Sequence, residues 1–200
     1  MLIVFEGLDA AGKSTLIANV ADFLRDRSCP VHVLHFPRPS IAPLITKVVE
    51  DSGKESNPFA ASLPFALDRW LSRHDWLPFH RRGDFVLLDR YVLSNLAYQG
   101  ANLSGSAQLD FFRWLDDLEF NKLQLPRPDL TVLVEVVESL RQERLLQRAA
   151  LDSFERDLDF ARRVRLTYDA LPYPLLRLNP DDPSPLFRAL QRHDSGSKYH

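Results

Sequence analysis

The sequence predicts an α/β fold: a five-stranded parallel sheet with helices on both faces. Two observations carry that expectation: five short apolar runs, and helical patterns in the segments between them. The runs are Leu2–Phe5, Val31–Phe36, Phe85–Leu88, Leu130–Val136 and Leu175–Leu178. A third observation fixes how the chain starts. The first run leads into a Gly-containing loop, and then Leu16, Ile17, Val20, Ala21 and Leu24 recur at helical spacing. Parallel neighbours need crossover connections, which the helical segments supply with right-handed sense. Ligands of such sheets bind at the carboxyl ends of the strands. Function is therefore sought just after each run: Gly7 to Thr15, Pro37-Arg38-Pro39, Asp89-Arg90-Tyr91, and Glu138 onward.

The first of these segments carries its chemistry in its spacing. Gly7-Leu8-Asp9-Ala10-Ala11-Gly12-Lys13-Ser14-Thr15 matches G-x-x-x-x-G-K-[ST], a phosphate-binding loop. Glycines at its two ends let several backbone N–H groups turn toward one concavity, where they cradle phosphates. Lys13 then reaches the β- and γ-phosphates, the Ser14 hydroxyl suits Mg²⁺, and the following helix adds the positive end of its dipole.

Composition bounds the rest. The 200 residues suit one domain, placed at 1–193, with 194–200 expected to form a frayed tail. The stretch from Ser52 to Pro58 reads as a loop, and five prolines between Pro172 and Pro185 as rigid connections. Net charge is −2 with no basic tail, which argues against nucleic-acid binding as the main task. Arg nevertheless outnumbers Lys by 20 to 5, and Arg suits bidentate recognition of phosphate. Cys29 is the one cysteine, so no intrachain disulfide forms and it reads as a structural thiol in a reducing interior. No run approaches membrane-spanning length and no basic leader precedes the first strand, so a cytoplasmic protein is expected.

A second set of charges gives specificity. Asp89 ends its strand where a carboxylate can hold Mg²⁺, or alternatively cap a helix or pair with Arg90. Arg38, Arg69 and Arg90 lie on separate elements whose ends converge on one cleft. Three guanidinium groups facing one another repel unless a dianion such as a phosphate monoester sits among them. Taken singly, each arginine suits a surface ion pair equally well. Phe36, Phe65, Tyr91 and Tyr98 stand close by in sequence and offer a flat slot for a base, with core packing as the alternative for any one of them.

These residues resemble the thymidylate kinase family of P-loop nucleoside monophosphate kinases. The similarity spans nearly the whole chain, from Phe5-Glu6-Gly7-Leu8-Asp9 to the helix around Tyr168. Its segments occur in family order: Phe36-Pro37-Arg38, Phe65-Ala66-Leu67-Asp68-Arg69, Leu88-Asp89-Arg90-Tyr91, Ser94-Asn95, Ala97-Tyr98-Gln99-Gly100 and Leu125-Pro126-Arg127-Pro128-Asp129-Leu130. The resemblance implies a P-loop NTPase three-layer fold with a short helical lid, and Mg-ATP-dependent phosphorylation of dTMP to dTDP on the way to dTTP. Arg38 and Arg90 would hold the acceptor phosphate. Phe65 would stack on thymine, Arg69 would reach a thymine carbonyl, and Asn95 would read the base edge with Ser94 beside it. Phe36 and Tyr98 would close around the deoxyribose. Asp9 would contact the 3′-hydroxyl side of the sugar or the metal shell, joining Ser14 and Asp89 as the metal-site residues.

The segment from Arg141 to Asp157 resembles the family's lid. The loop residues Asp9-Ala10-Ala11 carry no arginine, so a lid arginine, Arg148 or Arg144, is expected to stabilise the transition state. Phe154 would exclude a 2′-hydroxyl by bulk. Relatives are homodimers, and the apolar residues Phe111, Phe112, Trp114 and Leu115 suit either a dimer face or the core. The rival readings are a P-loop kinase acting on CMP, UMP or a deoxynucleoside, and a nucleotide-dependent switch or DNA-associated ATPase.

Overall fold

A computed structural model of the chain describes residues 1–52, 57–147 and 157–197. The five runs form strands β1 (Leu2–Glu6), β2 (Val31–His35), β3 (Phe85–Asp89), β4 (Leu130–Val134) and β5 (Leu176–Leu178). All pairings are parallel, in the order β2-β3-β1-β4-β5. Between and after them lie α1 (Lys13–Arg25), α2 (Ala42–Ser52), α3 (Pro58–Arg81), α4 (Val92–Gly100), α5 (Gly105–Asp116), α6 (Glu138–Leu146), α7 (Leu158–Ala170) and α8 (Ser184–Ser197).

Alternation along β1 shows why its run is continuously apolar. Leu2 and Val4 pack with Trp76 of α3, Phe111 of α5 and Val164 of α7. Ile3 and Phe5 pack on the other face with Leu16 and Val20 of α1 and Leu186 and Leu190 of α8. Each such side chain, removed from water, contributes about 1.5–3 kcal/mol. The helices thus cover both faces, as the sequence predicts.

Register brings the functional loops together. Phe5 lies opposite Asp89, so the chain leaving β1 and the chain leaving β3 emerge side by side. The loop after β1 also passes close to β4. Gly7 has φ +135°, and a Cβ there would sit 2.5 Å from the Val134 carbonyl oxygen.

Element ends differ in places from the sequence expectation. β4 stops at Val134, opposite Leu178, and the Glu135 N–H makes the last bond across, to the Leu178 carbonyl at 2.9 Å. The stretch read as a loop is shorter, because Ser52 closes α2 and Pro58 opens α3. The Asn57 side chain caps α3 by accepting from the N–H groups of Phe59 and Ala60. The last helix runs to Ser197, so residues 194–197 continue it where fraying is expected. Phe111, Phe112 and Leu115 are buried core, which removes them as a dimer face. The exposed apolar stripe lies instead on α3, where Leu63, Leu67 and Leu71 repeat every fourth residue. Among the described residues, no helix is long and apolar enough to cross a membrane.

Gly7→Ala combines a positive φ with a clash against backbone that cannot rotate away. We expect a urea-unfolding midpoint lowered by the equivalent of about 1–3 kcal/mol; an unchanged midpoint would contradict the close approach.

Candidate active site

The site is assembled on the carboxyl edge of the sheet. β1 runs into the phosphate loop, whose backbone turns through left-handed conformations at Ala10 (φ +62°) and Gly12 (φ +96°). Gly12 precedes α1 with no side chain capping the helix, so the first-turn N–H groups stay open to an anion. An open cleft of about 560 Å³ faces this loop, with His35, Asp89, Arg90, Arg144 and Pro180 on its other sides.

Lys13 is buried, and its Nζ donates to the carbonyls of Gly7 (3.1 Å) and Leu8 (2.9 Å). Burial and the nearby Arg90 cation pull its pKa down to about 8 against the opposing pull of Asp9, Asp89 and Glu6. At Asp9 burial alone would raise the pKa. Arg90 and Lys13, with hydrogen bonds from Arg90 and Tyr98, outweigh it and hold the carboxyl at about 2.

Arg90 follows β3 in a left-handed conformation (φ +70°) that turns its side chain back toward the loop. Its Nη2 donates to Asp9 Oδ1 at 2.7 Å and to the Tyr98 hydroxyl at 3.1 Å, and its Nη1 donates to Ser94 Oγ at 3.1 Å. The Tyr98 hydroxyl in turn donates to Asp9 Oδ2 at 3.0 Å. Burial pushes that hydroxyl up to about 12, so it remains a donor at neutral pH. Beneath this cluster lies Glu6, the last residue of β1 and fully buried. Its Oε1 accepts from the backbone N–H of Tyr91 (2.9 Å), and its Oε2 accepts from the hydroxyls of Ser94 and Tyr168. Burial pushes its pKa up; hydrogen bonds from Ser94 and Tyr168 and the Arg90 charge partly offset that.

The other two arginines are also held by carboxylates. Arg38 donates from Nε and from its backbone N–H to the two oxygens of buried Asp68, both at 2.7 Å, and from Nη1 to Asp75. Arg69 is buried and clamps Glu119 through Nε (2.6 Å) and Nη2. Each of the three guanidinium groups therefore has its own carboxylate, the ion-paired alternative that the sequence left open for each arginine singly, so their mutual repulsion is offset before any anion arrives. Asn95 Nδ2 donates to the Ser62 carbonyl at 3.0 Å and to Glu119 Oε1 at 3.4 Å.

Asp89 is buried beside the loop. Its Oδ2 accepts from Ser14 Oγ at 3.4 Å and lies 3.2 Å from His35 Nδ1, while its Oδ1 is buried without a partner. An orphaned carboxylate oxygen next to a hydroxyl, both hard donors, fits a Mg²⁺ site. Asp9, the third residue expected there, has both oxygens engaged by Arg90 and Tyr98.

Other expectations divide. Phe36 is 1% exposed and belongs to the core with Tyr91, so it is not a free wall of the cleft. Phe65 is half-buried on α3, one turn before Arg69. Of the expected lid, Arg141 lies in α6, buried and bound to Glu138, so it is no mobile cation. Arg144 reaches the phosphate loop, with Nη1 3.4 Å from the Ala11 carbonyl. Asp157 caps α7 by accepting from Phe160 N–H at 2.8 Å. Arg148 and Phe154 lie outside the described residues.

Sequence reasoning gave no role to Glu6, Asp68, Glu119 or Tyr168. Glu6 and Asp68 stand inside motifs it quoted; Glu119 carries no local signal.

A phosphate loop after the first strand of a parallel sheet, with a metal-suited carboxylate on the next strand, defines a P-loop phosphate-handling protein. Residues 5–175 match the family profile described as Thymidylate kinase. The chain is 37% identical over 182 residues to a thymidylate kinase of Mycobacterium tuberculosis, covering 86% of this chain and 85% of that protein. It is 35% identical over 166 residues to a probable thymidylate kinase of Archaeoglobus fulgidus, covering 82% and 79%. It is 35% identical over 188 residues to a probable thymidylate kinase of Pyrococcus horikoshii, covering 88% and 85%. The chain belongs to the thymidylate kinase family.

The lowered Lys13 pKa has a signed consequence. Below about pH 8 the free site carries an ammonium suited to phosphate, and above it the charge is lost. Titration with Mg-ATP should show constant affinity up to about pH 8 and weakening beyond it, with proton uptake on binding. Affinity flat to pH 10 would contradict that charge state.

Proposed function

We propose that the chain transfers the γ-phosphoryl group of Mg-ATP to dTMP, giving dTDP and ADP in the supply of dTTP. The observation that carries this reading is the 2.7 Å contact between Arg90 and Asp9. It joins a cation suited to an acceptor phosphate directly to the loop suited to donor phosphates, 81 residues apart in sequence. An acceptor oxygen attacks the γ-phosphorus, the bond to the β-γ bridging oxygen breaks, and ADP leaves with that oxygen. The acceptor oxygen is already anionic, so no general base is needed. Alignment and charge neutralisation suffice.

Lys13 and the loop N–H groups would hold the donor phosphates, with Arg144 or Arg148 completing the charge over them. Arg38 and Arg90 would hold the acceptor phosphate. Phe65 would stack on thymine, Arg69 and Asn95 would read it, and Tyr98 would lie at the sugar. Ser94 acts by fixing Arg90, and Asp9 by aligning Arg90 and Tyr98. Ser14 and Asp89 would hold Mg²⁺, which when bound neutralises phosphate charge. We place the enzyme in the cytoplasm as a homodimer, with the Leu63–Leu67–Leu71 stripe of α3 as the apolar face that a second copy would cover.

The rivals are a kinase with another base preference and a deoxynucleoside kinase. The latter needs a base for a neutral 5′-hydroxyl. Asp9, held at about 2, is a poor base, and Arg90 favours a dianion over a hydroxyl.

ADP production from Mg-ATP should be strong with dTMP, weaker with dUMP, and negligible with dCMP, CMP or thymidine. Preferred turnover of dCMP or thymidine would overturn the reading. Lys13→Ala and Arg90→Ala should each lower kcat by about 10²–10³ or more without unfolding the chain. Near-normal kcat in folded Arg90→Ala would remove its assigned role.

A further inference from the structure

We propose that Glu119 is the positioning residue that sets base specificity, by fixing from one carboxylate the donor of Arg69 and the acceptor of Asn95. The inference rests on the dTMP reading and deepens it. Glu119 lies in a π-helical stretch, Asp117–Lys122, that continues α5, and it is fully buried. Such wide turns recur at functional sites because they re-aim a side chain within an otherwise regular helix.

Two consequences follow from its contacts. First, Arg69 gives Nε and one Nη2 N–H to the two Glu119 oxygens, which fixes the plane of the guanidinium and the aim of its remaining N–H groups, one of them on Nη1 3.5 Å from the Tyr91 carbonyl. Second, both partners of Asn95 Nδ2, the Ser62 carbonyl and Glu119 Oε1, are acceptors. They force the amide nitrogen toward themselves and the amide oxygen away. That oxygen, Asn95 Oδ1, is buried without a partner. A buried acceptor left unpaired points to a donor supplied by a ligand. One N–H donor beside one carbonyl acceptor complements a pyrimidine carrying a carbonyl next to a ring N–H, as thymine does. Cytosine presents the reverse pattern, an amino group beside a ring acceptor.

Glu119→Gln replaces one acceptor with an amide N–H₂. That group either faces Arg69 donors or turns the Asn95 amide over, placing a donor where the acceptor stood. We expect the KM for dTMP to rise about tenfold or more, and the dTMP-over-dCMP ratio of kcat/KM to fall by a similar factor. The KM for ATP should stay within about twofold, because the loop is untouched. Circular dichroism melting checks folding, and Glu119→Asp, which keeps the charge and shortens the reach, takes its place if the Gln variant does not fold. That variant should shift both quantities in the same direction, by less. A folded variant whose dTMP KM and base ratio stay within about twofold of the parent overturns the proposal. So does an equal loss with every substrate, ATP included, since that marks a purely structural role. Absence of dTMP turnover in the unsubstituted enzyme overturns the underlying reading itself, and is seen before any variant is assayed.

Discussion

The buried carboxylate of Glu6 is the constraint on which the site depends. It closes the central strand and accepts from the Tyr91 N–H, the Ser94 hydroxyl and the Tyr168 hydroxyl. Those donors come from the end of β3, from α4 and from α7, so one side chain ties three elements to the start of the phosphate loop. Burying a carboxylate this deeply is unfavourable without such partners, and its raised pKa records what they leave uncompensated. Arg90 inherits its position from this knot. Ser94 accepts from Arg90 while donating to Glu6, and the N–H of Tyr91, the next residue, is pinned to the same carboxylate.

The same logic repeats outward. Asp68 holds Arg38 by side chain and backbone, Glu119 holds Arg69, and Asp9 holds Arg90. Arginines with long free side chains would lose rotamer entropy when a ligand arrives. Here the ordering is done during folding, so a ligand meets donors already aimed, the condition that makes electrostatic stabilisation effective. The arrangement is most sensitive at Arg69–Glu119, where both side chains are buried and removing one leaves an uncompensated charge at a cost of about 3–5 kcal/mol.

The sheet was legible because strands buried on both faces leave an uninterrupted apolar record, as Leu2 to Phe5 and Phe85 to Leu88 do. The loop was legible because its chemistry is local, packed into nine consecutive residues. Arg38, Arg69, Arg90 and Asn95 could be nominated by resemblance, but their partners could not be read. Glu119 lies 50 residues from Arg69, and its inward aim comes from a π-helical turn that composition does not announce. Aromatics stayed ambiguous for a related reason. Phe36 and Phe111 are as apolar in sequence as a binding wall or a dimer face, and only packing assigns them to the core. The start of α3 lies at the edge of a loop-like stretch because the Asn57 side chain caps it there.

Although the chain's net charge is −2, cations gather around one cleft. Around the cleft, Lys13, Arg90 and Arg144 face Asp9, Asp89, Asp181 and, one layer below, Glu6. This set is nearly neutral, which keeps the cations ordered without strong mutual repulsion. It also means that the protein's own positive charge is largely matched before any ligand binds. On the proposed reading, a polyphosphate and a phosphate monoester would add several negative charges to a site whose cations are already matched. Asp89, with one oxygen unpaired beside Ser14, is placed to admit the missing positive charge as a divalent ion. On the proposed reading the acidic residues serve the anion site: Asp9 holds Arg90 in place, and Asp89 would receive the metal.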